Sequence, residues 1–162
     1  MNKSKKVAYY GIFVSLAILF GYVETVVSIP MLVPGAKIGF ANIVVVLTLY
    51  IMNEKSAAFV SIIRILISGI LFASISAILY SLAGAFLSLL MMIILKKTNK
   101  FSIVGVSIVG GIFHNIGQFI IASVVMSTNL IIYFPALMFF GTITGFLIGI
   151  ISKYTLSYLQ RK

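Results

Sequence analysis

The chain has 162 residues, of which 62% are hydrophobic and 9% are charged. Soluble domains carry about 25% charged residues, so this composition excludes a soluble globular protein and indicates a multi-pass membrane protein. The net charge of +10 does not indicate a nucleic-acid partner, because the basic residues lie at the ends of the apolar segments. Cysteine is absent, which excludes disulfides and thiolate chemistry.

Acidic residues are almost missing: the chain has no aspartate, and its two glutamates are Glu24 and Glu54. Phosphoryl or prenyl transfer assisted by Mg²⁺ needs several carboxylates around the metal, and two separate glutamates do not supply them. The sequence has no GxxxxGK[ST] loop for ATP hydrolysis. His114 without thiolates or further carboxylates is a poor metal site. We therefore expect no enzymatic activity, no metal and no cofactor.

Six apolar segments are interpreted as membrane spans, although the second is short for a crossing of about 20 residues. Their approximate bounds are 7–27, 38–52, 57–72, 77–95, 101–126 and 130–151. The first is longer than the apolar part of a signal peptide and has no cleavage motif before Pro30, so we interpret it as an uncleaved span. The expected fold class is all-α: a polytopic membrane protein of six transmembrane helices in one domain, residues 1–162.

Basic residues divide sharply between the two sides that six spans create. Lys37 alone falls on the outer side, and Arg64 lies within the third span. Positive residues accumulate in cytoplasmic loops, so we predict that both termini lie in the cytoplasm. The residues on the predicted inner side are Lys3, Lys5, Lys6, Lys55, Lys96, Lys97, Lys100, Lys153, Arg161 and Lys162.

The connection between the first two spans, residues 28–37, contains Pro30 and Pro34 and is not expected to form regular helix. It is more apolar than a solvent loop. We predict that this cap segment folds back onto the outer end of the bundle. Lys37, which ends the segment, is either a solvated lysine or a contact for a ligand.

Three polar side chains interrupt the apolar fifth span: His114, Asn115 and Gln118. Polar groups at bilayer depth are costly and normally face a protein interior or a water-filled cavity. His114 and Gln118 are four residues apart and share one helix face. Two interpretations stay open: a hydrogen-bond network between helices or direct contact with a ligand.

Arg64 lies about 12 Å into its span at helical rise, where insertion of an arginine costs about 2.5–3.5 kcal/mol. It either pairs with Glu24 or helix-end carbonyls, or it contacts an anionic ligand. Glu24 lies near the outer end of the first span, and Asn42 lies near the start of the second. The predicted ligand-binding residues are Glu24, Lys37, Asn42, Arg64, His114, Asn115 and Gln118.

Small residues spaced four apart let helices approach closely. Two such pairs lie in the first span and suit the packing of a partner helix: Gly11 with Ser15, and Ala17 with Gly21. The last span contains a glycine ladder made of Gly141, Gly145 and Gly149. This ladder is more typical of helix packing than of a functional site.

The chain resembles a bacterial membrane family in four stretches: GYVETVVSIPMLVPGAKIGFANIVVVLTLY, RILISGILF, YSLAGAFLSLLMM and FSIVGVSIVGGIFHNIGQ. That family is labelled both Gx transporter and heptaprenyl diphosphate synthase component I. The resemblance runs from Gly21 to Gly149, and PGxKxGxAN followed by HNxGQ is its specific combination. The family is in turn similar to the substrate-binding S-components of energy-coupling factor (ECF) transporters, which are six-helix bundles with both termini cytoplasmic.

This resemblance implies a subunit of the bacterial cytoplasmic membrane that binds a small vitamin- or cofactor-like molecule beneath the cap segment. The positive charges of Lys37 and Arg64 favour an anionic ligand, such as a flavin. The resemblance also implies an ECF-type coupling subunit and ATPases as partners, with a small-residue pair of the first helix at the contact. Two alternatives stay open. One is a noncatalytic membrane accessory subunit of polyprenyl diphosphate or quinone biosynthesis, and the other is a self-sufficient secondary transporter.

Overall fold

A computed structural model describes residues 2–26, 39–126 and 130–161, and these residues are almost entirely helical. Five helices are long and apolar enough to cross a membrane, and one is a shorter apolar helix of 12 residues. No strand occurs within the described ranges, so the predicted all-α membrane bundle of six helices is confirmed. The helices are α1 Lys3–Val26, α2 Phe40–Ile51, α3 Glu54–Phe72, α4 Ile75–Thr98, α5 Ile103–Met126 and α6 Phe134–Gln160, the last preceded by a 3-10 turn, Ile131–Tyr133.

Polar side chains begin two of the helices. The Asn53 side chain accepts a hydrogen bond from the Ser56 N–H at 2.9 Å at the start of α3. The Ser74 hydroxyl accepts one from the Ala77 N–H at 3.2 Å at the start of α4. These side chains satisfy backbone donors that have no partner inside the first turn of a helix.

Four helices extend beyond their predicted spans. α1 begins at Lys3 and α3 at Glu54, four and three residues before the predicted starts at 7 and 57. α4 continues to Thr98, whereas its predicted span is 77–95. α6 continues to Gln160, whereas its predicted span is 130–151. Hydropathy indicates the part of a helix that lies in lipid. The helix itself continues through polar residues that still favour helix, so its end is not visible in the hydropathy.

α2 lies at the centre of the bundle and packs against α1, α3 and α6. Seven of its 12 residues are buried, among them Val44, Val46 and Leu49. A helix that is hydrophobic on all sides is expected to be surrounded by other helices. This burial positions the polar start of α2, at Asn42, among the ends of its neighbours.

α5 and α6 pack antiparallel at distances that favour glycine. A Cβ added to Gly145 would lie 2.7 Å from the carbonyl oxygen of Ser107, and one added to Gly149 would lie 2.8 Å from Cα of Val104. Both distances are shorter than real contacts of a Cβ. The predicted packing role of the glycine ladder in the last span is therefore confirmed.

α4 approaches the opposite side of α5 equally closely. A Cβ added to Gly117 would lie 2.5 Å from the carbonyl oxygen of Ala83. One added to Gly84 would lie 2.7 Å from the carbonyl oxygen of His114. α4, α5 and α6 thus form one closely packed layer of the bundle.

Most basic residues belong to one end of the bundle, which we call the basic end. There the Lys96 ammonium donates a hydrogen bond to the carbonyl oxygen of Leu49 at 2.6 Å, which joins the last turns of α4 and α2. The hydroxyls of Tyr10 and Ser56 are hydrogen-bonded at 2.9 Å, which joins α1 to the start of α3. Since α6 runs antiparallel to α5, its C-terminal end lies here as well.

Candidate functional site

A polar cavity lies at the end of the bundle opposite the basic end. It is bounded by the last turns of α1 and α3 and the first turns of α2 and α4, and α5 closes one side. Its volume is about 70 Å³, which is room for several water molecules because one water needs about 10–15 Å³. Its polar lining residues are Glu24, Thr25, Asn42, Arg64, Ser68, Ser81, His114, Asn115 and Gln118.

Arg64 supplies a positive charge to this cavity. Its Nη2 donates a hydrogen bond to Oδ1 of Asn42 at 2.6 Å, and the carboxylate of Glu24 is near enough to attract it electrostatically. Its Nε is buried and has no hydrogen-bond acceptor among the residues that the structure describes. Leaving a buried donor of a charged group unsatisfied is costly, so this N–H is suited to an acceptor that enters the cavity.

Gly39 directly precedes α2 and links it to the end of α1 by a hydrogen bond. Its φ is 83°, in the left-handed region that favours glycine, and its N–H donates a hydrogen bond to Oε1 of Glu24. A Cβ at this position would also lie 3.1 Å from Nδ2 of Asn42. Gly39 therefore helps to position Glu24 and Asn42, the two residues that interact with Arg64.

The three polar residues of α5 have different neighbours, although all of them line the cavity. The amide of Asn115 donates a hydrogen bond to the carbonyl oxygen of Leu137 at 2.6 Å and joins α5 to α6. His114 and Gln118 face α4. A Cβ added to Gly84 of α4 would lie 3.0 Å from Cε1 of His114 and 2.9 Å from Cγ of Gln118. The absence of a side chain at Gly84 leaves the space that these two residues occupy.

The cavity brings together most of the residues predicted from the sequence. Six of the seven predicted ligand-binding residues line it, and their contact with a ligand stays a prediction. The seventh, Lys37, lies outside the described residues, as does the predicted cap segment 28–37. The six residues are Glu24, Asn42, Arg64, His114, Asn115 and Gln118.

Three further polar residues of the cavity are not among the predicted ones: Thr25, Ser68 and Ser81. The hydroxyl of Ser68 is buried and has no hydrogen-bond partner within the described ranges. Ser68 follows Arg64 by four residues, which places the two on one helix face. That spacing was the available signal, since a serine in a membrane helix is by itself common.

The chemical groups of the cavity suit binding of a polar molecule. They comprise a guanidinium, a carboxylate, an imidazole, side-chain amides and hydroxyls, which together donate and accept hydrogen bonds in several directions. A few polar groups that converge in an apolar surrounding are typical of small-molecule sites. In the described part of the chain, no three His, Cys, Asp or Glu residues form a group that could hold a metal ion.

α1 uses its two pairs of small residues differently. Ala17 is fully buried, and a Cβ added to Gly21 would lie 3.3 Å from Oγ of Ser68, so this pair packs inside the chain. Gly11 has open space where a Cβ would be, and Ser15 is exposed. Of the two pairs predicted for a partner helix, Gly11 with Ser15 is the one left on the surface.

Comparison with known proteins agrees with the resemblance carried by the sequence motifs. A family model described as heptaprenyl diphosphate synthase component I matches residues 13–155, which extend from α1 to α6 and include the whole cavity. Searches of curated proteins and of solved structures gave no match. The family match spans most of the chain, which therefore belongs to the heptaprenyl diphosphate synthase component I family.

Proposed function

We propose that this protein is a membrane-embedded substrate-binding subunit, similar in role to the S-components of ECF transporters. Its ligand is a small vitamin- or cofactor-like molecule that carries an anionic group, such as a flavin nucleotide. The observation that carries the proposal is the guanidinium of Arg64, which lies in a polar cavity of an otherwise apolar bundle.

The free energy needed to insert Arg64 into the membrane supports a role for this residue beyond helix packing. A central arginine costs about 2.5–3.5 kcal/mol on insertion scales, and such residues commonly mark substrate or ion pathways. Asn42 and Glu24 offset part of this cost, but the buried Nε has no acceptor among the described residues. A carboxylate or phosphate of the ligand would accept a charge-assisted hydrogen bond from it.

The size of the cavity suggests that ligand entry requires a wider state. A volume of about 70 Å³ is well below the roughly 300–1,000 Å³ of typical ligand pockets. In our proposal, ligand entry separates the C-terminal end of α1 from the start of α2. The hydrogen bond between the Gly39 N–H and the Glu24 carboxylate joins these two points before entry. The ligand is thereby captured at the end opposite the basic end, which is the outer side under the positive-inside rule.

Transport in this proposal depends on partner subunits, because the chain has no phosphate-binding loop of its own. ECF-type ATPases would supply the energy, and a coupling subunit would pack on α1. Gly11 and Ser15 form the exposed small surface there, and small residues allow a second helix to approach closely.

The first experiment is mass spectrometry of the small molecules released when the detergent-purified protein is denatured. A stoichiometric polar, anionic cofactor-like molecule is the expected result. A polyprenyl or quinone species in its place would contradict the proposal and favour the second candidate below. If the protein is purified empty, a flavin nucleotide is added and its binding is measured by isothermal titration calorimetry.

Substitution of Arg64 tests the site. Arg64→Gln should weaken ligand affinity by about tenfold or more, because a hydrogen bond to a charged group contributes about 1.5–3 kcal/mol. Arg161→Gln is the matched control, since Arg161 is an exposed arginine beyond α6 at the basic end. Equal affinities in both variants would remove Arg64 from the site.

The family description favours a second candidate function, a noncatalytic membrane accessory subunit of polyprenyl diphosphate biosynthesis. A catalytic role is not part of it, because the chain has no aspartate for an Mg²⁺-binding motif. This candidate predicts that a soluble synthase rich in aspartate copurifies with the protein after crosslinking. Recovery of ATPase and coupling subunits in that experiment would support the transport proposal instead.

A further inference from the structure

An apolar groove lies between α3 and α4, apart from the polar cavity. Its volume is about 420 Å³. Ala58, Ser61 and Ile62 line it on α3, and residues between Leu82 and Ile93 line it on α4. The groove lies in the first half of α3 and runs from Leu82, near the middle of α4, toward the C-terminal end of α4, so that it leads to the basic end.

The groove opens toward the membrane. Ile62 and Phe86, on its two walls, are 47% and 68% exposed. In a bilayer this exposed surface faces hydrocarbon, where water is not available to fill the space. The groove is therefore suited to an apolar chain, and the small side chains of Ala58 and Ala85 provide the room for it.

Two lysines continue the walls of the groove at the basic end. Lys55 precedes Ala58 by three residues and Ile62 by seven, and Lys97 follows Ile93 by four, so each lies on the helix face that lines the groove. Both lysines are exposed. The groove is thus apolar along its length and positively charged at its mouth.

The neighbouring charged residues leave this positive charge in place. Lys96 is turned toward the bundle, where it donates a hydrogen bond to Leu49 and lies 5.2 Å from the ring centroid of Tyr50. Glu54 lies near Lys97 and offsets one positive charge. Two lysines against one glutamate keep the mouth of the groove positive.

The length of the groove matches one leaflet. Leu82 and Ile93 are eleven residues apart, which is about 16 Å along a helix. Half of a hydrocarbon core of about 30 Å is nearly the same distance. A chain that hangs from a head group at the level of the lysines would fill the groove and end near the middle of the membrane.

We propose that this groove is a binding site for one acyl chain of an anionic phospholipid from the leaflet at the basic end, with its phosphate held by Lys55 and Lys97. Lysines next to the membrane surface are attracted to anionic head groups. The apolar groove binds the acyl chain, and the two lysines select an anionic head group.

Native mass spectrometry of delipidated protein tests this proposal, with phosphatidylglycerol and phosphatidylcholine of matched acyl chains as the probes. The affinity for phosphatidylglycerol should be higher than that for phosphatidylcholine by about tenfold or more. The double variant Lys55→Gln, Lys97→Gln should lose this preference. Lys153→Gln, which removes a charge from α6 at the same end, should keep it.

A second variant separates the groove from the charges. Ala85→Leu fills the groove and should weaken binding of both lipids, whereas Ala8→Leu, on the exposed face of α1, should weaken neither. Equal binding of the two lipids by the unaltered protein, or unchanged binding in Ala85→Leu, would overturn the proposal. Displacement of phosphatidylglycerol by equimolar polyprenyl phosphate would also overturn it, in favour of an isoprenoid occupant.

Discussion

The two sides of α5 illustrate two kinds of helix packing in one membrane protein. Toward α6, backbone meets backbone across glycines such as Gly145, where an added Cβ would lie 2.7 Å from the carbonyl oxygen of Ser107. Toward the cavity, α5 presents His114 and Gln118. The first side forms a rigid wall. The second side also packs closely on α4 at Gly84, but it leaves polar groups at the edge of the cavity.

This difference indicates how the protein accommodates polar groups in lipid. Without a hydrophobic driving force between membrane helices, close contacts of small residues hold them together. The layer of α4, α5 and α6 supplies those contacts, so that the opposite helices can be spaced around Arg64. The following substitutions test the separation between wall and cavity.

The largest effect is expected for Gly145→Val. Its Cβ would lie 2.7 Å from the carbonyl oxygen of Ser107, so α5 and α6 must move apart, and overpacking of this kind costs about 1–3 kcal/mol or more. Size-exclusion chromatography after heating in detergent should give a lower melting temperature. Gly11→Val is the control, because a Cβ there meets open space; a similar loss in both variants would contradict the rigid wall.

A smaller effect is expected for Gly39→Ala at the cavity. A left-handed conformation costs a residue with a Cβ about 1–2 kcal/mol, and the added Cβ would also displace the amide of Asn42. Both the melting temperature and the ligand affinity should fall. Gly105→Ala, where the added Cβ would lie at an ordinary 3.7 Å from Oγ of Ser102, should change neither.

The smallest effects distinguish neighbours on α5. Asn115→Leu removes the hydrogen bond to Leu137 and should lower stability by about 0.6 kcal/mol, the average for such bonds between membrane helices, with little change in affinity. Gln118→Leu should weaken ligand binding with little change in stability. The reverse pattern in paired melting and binding measurements would mean that Asn115, and not Gln118, contacts the ligand.

Hydropathy was sufficient to predict six helices and their class. Backbone groups in lipid must be hydrogen-bonded within the segment, so an apolar segment of this length is expected to form a helix. The ends were less predictable. α6 continues to Gln160 because polar residues outside the membrane also form helix.

The cost of polar groups in lipid was sufficient to single out the residues of the cavity one at a time. Arg64 and His114 attract notice because each is expensive in an apolar span. Ser68 escapes notice because a serine is cheap there, although it lies in the same cavity as Arg64.

Which residues meet depends on how each helix is rotated about its own axis, and sequence spacing within one helix does not contain that rotation. It arises from contacts between helices, such as Gly84 against His114 and the buried Ala17. These contacts turn Asn115 toward α6 and leave Gly11 on the surface. The residue types and their depth in the membrane therefore follow from the chain itself, whereas their convergence on one cavity follows from close packing among six helices.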